Sequence, residues 1–304
     1  MNEAVKNSIA QIARLFPFSI LRGNHRYPPF LPFYHVVSNE KLPYINSYRV
    51  RTAAEFEKEL DYFLRYFKPV SLKNILEKPD IRKMHLSFDD GLVECYSVIA
   101  PILKRKGIPA TFFVSPDFVD NKKLFHRFKC SILEEEGVLE RGGKKYFFNE
   151  EGELDQLAAK HGIDFTQYKP YMNMEQVHSL HNDGFLIGGH SMVHPEMWKL
   201  SEDEQFRQVS DTMQWVEQNF QPNIKAFAFP FTDDGLKSSL FERLKNKGVA
   251  DVTFGTAGLK PDSKSINFQR VPVELRNWSV QKTLHFEYFY YFVRGLAGEN
   301  VVKH

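Results

Sequence analysis

Two short stretches carry residue types that can do chemistry together. The first is His85-Leu-Ser-Phe-Asp-Asp-Gly91, where two adjacent carboxylates precede a glycine. The second is His190-Ser-Met-Val-His194-Pro195, with two imidazoles four residues apart. Adjacent acids raise one another's pKa unless something divides their labour, and a cation reverses that logic. One carboxylate can then bind the ion while its neighbour reaches a water beside it. One carboxylate and two imidazoles make a three-ligand set with room for water, the pattern of a catalytic and not a structural metal. Taken singly, each stretch has a plainer explanation: a solvated Asp-Asp-Gly turn, or two surface histidines.

Placement separates these explanations. Leu86 and Phe88 alternate with His85 and Ser87, the period of a strand. Gly91 lets the chain turn, and Cys95, Val98, Ile99, Ile102 and Leu103 follow at helical spacing, with Pro101 expected to kink or restart that helix. Asp89 and Asp90 therefore stand at the carboxyl end of a strand, where α/β folds collect catalytic groups. Phe185-Leu-Ile-Gly188 reads as another strand, and Gly188, Gly189 and Pro195 favour a strand-end loop over a long helix for the two histidines.

The remaining elements alternate in the same way. Pro28 to Pro32 ends an opening helix, and Phe33 to Val37 is a strand. Thr52 and Glu55 form a capping box before a helix that buries Phe56, Leu60, Phe63, Leu64 and Phe67. Further strands are read at 69–72, 108–114, 225–231, 251–254 and 266–271, and helices at 173–184, 201–220, 236–247 and 280–295. About seven strands, each followed by a helix, predict a parallel sheet closed or nearly closed into a βα barrel; an open doubly wound sheet is the alternative. The stretch 117–169 is charged and weakly periodic, and is expected to be an insertion acting as a lid or partner surface, or a solvated excursion. Residues 1–30 are expected to form a helical segment outside the barrel domain, 31–304.

The composition excludes several classes. Of 304 residues, 42% are apolar, and 40 basic against 38 acidic residues give a formal net charge of +2, no electrostatic case for nucleic acid. Cys95 and Cys130 offer no disulfide framework. There is neither a membrane-spanning run nor a signal-peptide pattern, so a cytoplasmic location is expected. Ile9, Ile12, Ala13 and Phe16 share one helical face, expected to dock on its own domain, with a membrane surface as the alternative. No strand is followed by a glycine-rich phosphate loop.

Taken together, Ser87-Phe-Asp-Asp-Gly91, His190-Ser-Met-Val-His194-Pro195 and the run Ala100 to Val114 resemble the polysaccharide deacetylase family, the NodB-homology enzymes of carbohydrate esterase family 4. The resemblance covers Met84 to Val271. It implies a distorted, incomplete, TIM-like (β/α) barrel that removes N-acetyl or O-acetyl groups from a sugar, polysaccharide or glycolipid precursor. It implies one divalent ion, expected to be Zn2+, on Asp90, His190 and His194, with Asp89 as general base. The family's third motif supplies an oxyanion donor; here Ala228-Phe-Pro-Phe231 stands in its place, so Pro230 and the Phe231 N–H match. The family arginine is replaced by Ala228, and Arg270 is a candidate for the missing cation. Leu31-Pro-Phe-Tyr-His35 resembles the permuted motif order of PgaB- and IcaB-type deacetylases, which makes His35 the general acid; Thr283-Leu-His285 matches the usual last motif by letters only, and His285 is expected to be structural. The alternatives are a saccharide-binding member without turnover and, last, a metal phosphoesterase. The sequence does not name the sugar, and oligomeric state is left open.

Overall fold

Among the described residues ten strands form in chain order: β1 Pro32–Tyr34, β2 Lys68–Pro69, β3 Lys83–Met84, β4 Leu86–Phe88, β5 Ala110–Val114, β6 Leu186–Gly189, β7 Ala226–Ala228, β8 Val252–Gly255, β9 Asn267–Gln269 and β10 Val271–Pro272. The computed structural model describes residues 3–23, 27–141, 152–274, 277–296 and 301–304. β2 and β3 pair with each other; the other eight make one parallel sheet in the order β10-β1-β4-β5-β6-β7-β8-β9. β9 and β10 are separated only by Arg270, yet they lie at opposite ends of that order. The run 267–272 therefore pairs with β8 through Phe268 and with β1 through Val271, and so brings the two sheet edges together. The result is the nearly closed, distorted (β/α) barrel expected from the alternation of elements.

A buried network ties this seam. Arg51 donates to Glu59 at 2.9 Å and to the carbonyls of Val273 and Trp278 at 3.0 and 3.1 Å, while the Tyr34 hydroxyl donates to Glu59 at 2.8 Å. Glu59 lies on the helix Ala53–Leu64, which starts at the Thr52–Glu55 capping box and buries Phe56, Leu60 and Phe63 against the barrel. Burying each such apolar side chain contributes roughly 2–3 kcal/mol. Leu64, expected on this face, is instead exposed. Pro101 restarts its helix as expected: a π-helical turn, Cys95–Ile99, gives way to an α-helix, Ala100–Lys106, because proline has no N–H to continue the earlier ladder.

Several boundaries differ from the sequence reading; the strand read at 225–231, for example, ends at Ala228. The opening helix is two, Glu3–Ala13 and Phe18–Arg22, broken at Pro17. β1 stops at Tyr34, so His35 lies just past the strand end and not inside the strand. Pro69 ends β2, and Leu72–Glu77 is helical after a Ser71 cap. The stretch 117–169 carries the helices His126–Glu135 and Glu153–Lys160; the Gly-Gly-Lys-Lys run at 142–145 lies outside the described residues. The tail helix Val280–Leu296 packs against both opening helices: Ala10 is buried with Trp278 and Phe286, and Phe18 with Tyr288. None of the helices among the described residues is long and apolar enough to cross a membrane.

Candidate active site

Asp89 and Asp90 leave β4 in different directions because the chain turns between them. Asp90 has φ of 71° and Gly91 of 68°, two successive left-handed residues. A Cβ at Gly91 would also press on Val114 Cγ1 at 3.1 Å. Asp89 is fixed by its own N–H, which donates to Tyr34 O at 2.9 Å across β1. Its carboxylate receives both arms of Arg270, Nη1 to Oδ1 at 2.7 Å and Nη2 to Oδ2 at 2.8 Å. Arg270 also donates to Ser87 Oγ at 3.0 Å and lies over the Phe33 ring at 4.3 Å. Burial acts to raise the Asp89 pKa, but the guanidinium outweighs it and holds the carboxyl below its ordinary value. Arg270 thus faces Asp89 from the closing strand, while Ala228 offers no side chain to do so.

His190 follows β6 directly. A Cβ at Gly188 would sit 2.5 Å from the Phe113 ring and 2.8 Å from Ala226 O, so only glycine lets β6 lie this close to its neighbours. The His190 N–H donates to Val114 O at 2.9 Å, and its Nδ1–H donates to Ala228 O at 2.8 Å, which leaves Nε2 with a free lone pair. The loop then turns through Ser191 and His194, with φ of 61° and 54°, and Ser191 Oγ accepts the His194 N–H at 3.0 Å. Both Nε2 atoms face Asp90 Oδ1, at 3.4 Å from His190 and 3.3 Å from His194. The ligand atoms of the three residues all lie within 4.8 Å of one another. The expected strand-end loop brings the trio together.

This trio passes a fit test for a divalent cation. Asp90 Oδ1 is buried without a hydrogen-bond partner among the described residues. Burial tends to raise the Asp90 pKa, yet the two imidazoles hold it well below the ordinary carboxylate range. Burial also lowers the His194 pKa against the pull of Asp90, which favours the neutral ring a metal needs. A carboxylate oxygen and two imidazole nitrogens are a donor set suited to zinc-like ions.

His35 enters from beyond β1. Glu274 Oε2 accepts both its backbone N–H at 2.8 Å and its Nδ1–H at 2.9 Å, and its ring stacks on Tyr48 at 4.8 Å. Burial works to lower the His35 pKa, but the Glu274 hydrogen bond and the Asp90, Glu274 and Asp89 charges carry it up to about 9. Phe231 has φ of 60°, and Thr256 Oγ1 donates to its carbonyl at 3.1 Å. Its ring packs on His194 at 4.6 Å and under Arg127 at 4.1 Å, and its N–H has no acceptor among the described residues. Left-handed non-glycine residues at Asp90, His194 and Phe231 are held backbone strain of the kind that clusters at functional sites.

These groups converge on one cavity of about 500 Å³. Its floor is His35, Asp89, Asp90, His190 and His194. Phe125, Arg127, Phe128 and Ser131, from the stretch 117–169, form one wall, and Phe231 and Tyr48 form others. Pro230 is buried behind Phe231 and is not part of the wall. His285 is elsewhere: it donates to Gln281 O at 2.8 Å within the tail helix and packs on Phe18 at 5.3 Å. Glu274, Tyr48 and Arg127 have no signal in the sequence. Glu274 meets His35 only because β10 pairs with β1.

A family model for polysaccharide deacetylases matches residues 77–250, more than half of the chain. The chain belongs to the polysaccharide deacetylase family. No curated protein matches it by sequence search. Among solved structures, IcaB from Ammonifex degensii superposes with a TM-score of 0.59 at 16% identity, covering 86% of this chain and 97% of that one. The Streptococcus pyogenes deacetylase PplD in complex with acetate gives 0.58 at 15% identity, covering 86% and 98%. A de-N-acetylase from Aggregatibacter actinomycetemcomitans gives 0.55 at 14%, covering 84% and 99%. At these identities the likeness establishes the barrel and its extent.

Proposed function

We propose that this chain is a metal-dependent deacetylase that hydrolyses N-acetyl groups on a saccharide or glycolipid precursor. The observation that carries the reading is one cavity holding two differently committed carboxylates: Asp89 clamped by Arg270, and Asp90 with a bare oxygen between two imidazoles. Asp90, His190 and His194 would hold the ion, Zn2+ by donor chemistry. Bound there, a divalent ion lowers the pKa of water and polarises an acetyl carbonyl.

The protein's own groups do the rest. Asp89, kept ionised and aimed by Arg270, takes the proton from the attacking water. The Phe231 N–H, fixed in a left-handed turn and free of other acceptors, donates to the developing oxyanion. His35, held protonated by Glu274, gives its Nε2 proton to the departing amine nitrogen. Water is consumed, the C–N bond breaks, and acetate and a free amine result. The wall from 117–169 shapes access to the cavity. The alternative of a saccharide-binding member without turnover drew on Ala228, and the Arg270–Asp89 clamp supports the hydrolase instead.

The test is acetate release from chito-oligosaccharides and from other N-acetylated saccharides, with and without chelator. Release that stops with chelator and returns with Zn2+ is expected. Saccharide binding with no acetate release under any metal would overturn the hydrolase.

A further inference from the structure

The apolar surface of this molecule is unevenly spread. Of twelve exposed large apolar side chains among the described residues, eight lie on the opening helices, the turn that joins them and the tail helix. Val5 and Ile12, seven apart, share a face of the first helix, Leu15 and Phe16 stand in the turn that follows it, and Leu15 and Ile20 are 80% and 67% exposed. Phe16 stacks on Phe289 of the tail helix at 5.5 Å and 26°. Phe292, Val293 and Leu296 lie three, four and seven residues beyond Phe289, hence on its face. That stack makes the two exposed faces one patch. The opposite side of the opening helix is spent on docking, through the buried Ala10 and Ala13. A contiguous apolar patch of this kind marks an interaction surface.

Charge decides what the patch meets. The whole chain is balanced, with 40 basic and 38 acidic residues. The opening segment, residues 3–22, nevertheless holds Lys6, Arg14 and Arg22 against one acid, Glu3 at its start. The tail helix holds Lys282 and Arg294, and its one acid, Glu287, is buried. Apolar side chains framed mainly by cations match an anionic lipid surface, in which the apolar groups enter the acyl boundary and the cations meet headgroup phosphates. A second copy of the chain would set like charges against each other. We propose that the two opening helices and the tail helix form one docking face for an anionic bilayer surface. None of these residues lines the catalytic cavity, so the face works independently of hydrolysis.

Sedimentation of the full chain with vesicles tests this. Binding is expected to vesicles of equal parts phosphatidylglycerol and phosphatidylcholine, with much less to phosphatidylcholine alone, and to weaken as salt rises. The variant Leu15→Ser/Ile20→Ser/Leu296→Ser should partition at least about tenfold more weakly, since each side chain loses apolar burial, with unchanged circular dichroism and metal content. Arg14→Gln, at an exposed side chain, should weaken binding several-fold, and Leu15→Ser alone serves if the triple variant does not fold. Two results would overturn the proposal: absence of wild-type binding to the anionic vesicles, or equal partition of wild type and the serine variant. So would a dimeric mass in light scattering that the serine variant turns monomeric without any vesicle binding.

Discussion

Among the described residues two clusters of aspartate and histidine bring ligand atoms within 4.8 Å of one another, and only one of them keeps a buried carboxylate oxygen without a partner. Asp89, Asp90, His190 and His194 stand at the strand ends of β4 and β6. Asp233, Asp262 and His304 meet beside β9, again with ligand atoms within 4.8 Å. In the second cluster no buried side-chain polar atom is left without a partner. Asp233 Oδ2 accepts from Asn267 at 2.7 Å and from Gln269. Asp262 Oδ2 accepts from Asn267 at 2.9 Å, Gln269 at 2.8 Å and His304 at 3.0 Å, and its Oδ1 accepts the Lys264 N–H at 2.7 Å. In the first cluster Asp90 Oδ1 and His194 Nδ1 are buried with no partner among the described residues. An unsatisfied buried acceptor costs about 1–3 kcal/mol, so it persists only where something else meets the need. Carboxylates and imidazoles at this spacing can hold a cation where amide donors are kept away, and form a structural knot where they are supplied.

The largest expected effect breaks or confirms that contrast directly. Asp90→Ala and His190→Ala should each abolish stoichiometric divalent metal, measured by emission spectrometry after dialysis, and lower kcat/KM by about three or more orders of magnitude. Asp262→Asn should leave metal content and turnover near wild type. Metal loss in Asp262→Asn with retention in Asp90→Ala would reverse the comparison.

The proposed mechanism divides the labour between Asp89 and Asp90, and the next variants test that division. Asp89→Asn should keep the metal and lose about 10²–10³ in kcat, the size of a general-base contribution. Arg270→Met leaves a buried carboxylate unpaired and should cost about 3–5 kcal/mol of stability in urea melts. It should also raise the Asp89 pKa, so the acid limb of the pH–rate profile moves to higher pH. The linkage has the same sign: the depressed Asp89 pKa adds stability above its unfolded value, lost as pH falls through the folded one. An unmoved acid limb in Arg270→Met would separate Asp89 from the rate.

How far the sequence revealed these parts follows from the range of the interactions. Asp90 could be read because a strand, two acids and a glycine are contiguous. The trio could be read because each stretch announces its own strand end. The barrel could be read from alternation, and closure by the run 267–272 fits the strand predicted at 266–271. What the alternation could not give is that this one run serves both edges. That pairing alone brings Glu274 to His35, 239 positions away, and Arg270 to Asp89, 181 positions away. Arg270 was legible only as an arginine near a strand end, with nothing to aim it. The second cluster was invisible for the same reason: Asn267 and Gln269 are ordinary strand residues until Asp233 and Asp262 fold over them.

A smaller effect sharpens the role of the closing strand. His35→Ala should retain fold and metal and lose about 10² in amide hydrolysis. Hydrolysis of an activated aryl acetate, whose leaving group needs no proton, should change little. Because the wild-type His35 pKa lies up to about 9, the basic limb of kcat/KM should fall in that region. Glu274→Gln removes the charge beside the ring and should move that limb to lower pH. Equal losses on both substrates in His35→Ala would make His35 a structural residue.

The smallest effect belongs to the saturated cluster, and its sign is opposite in kind: stability moves and activity does not. His304 donates to Asp262, faces Asp233 at 3.6 Å, and packs on Phe241 at 4.4 Å. Burial works to lower its pKa, but Asp262 and Asp233 outweigh burial and raise it. A group with a raised folded pKa contributes stability that is full below its unfolded value, about 6.5, and is lost as pH rises through the folded value. His304→Ala should therefore lower the melting temperature clearly at pH 5 and progressively less as pH passes the folded value. The loss at pH 5 should be on the order of 1.5–3 kcal/mol, that of a hydrogen bond to a charged group. The residual loss at high pH reports the packing of the ring on Phe241. Acetate release should match wild type at every pH where both are folded. A pH-independent loss would mean that His304 holds the knot as a neutral ring, with Asp262 satisfied by the amides alone.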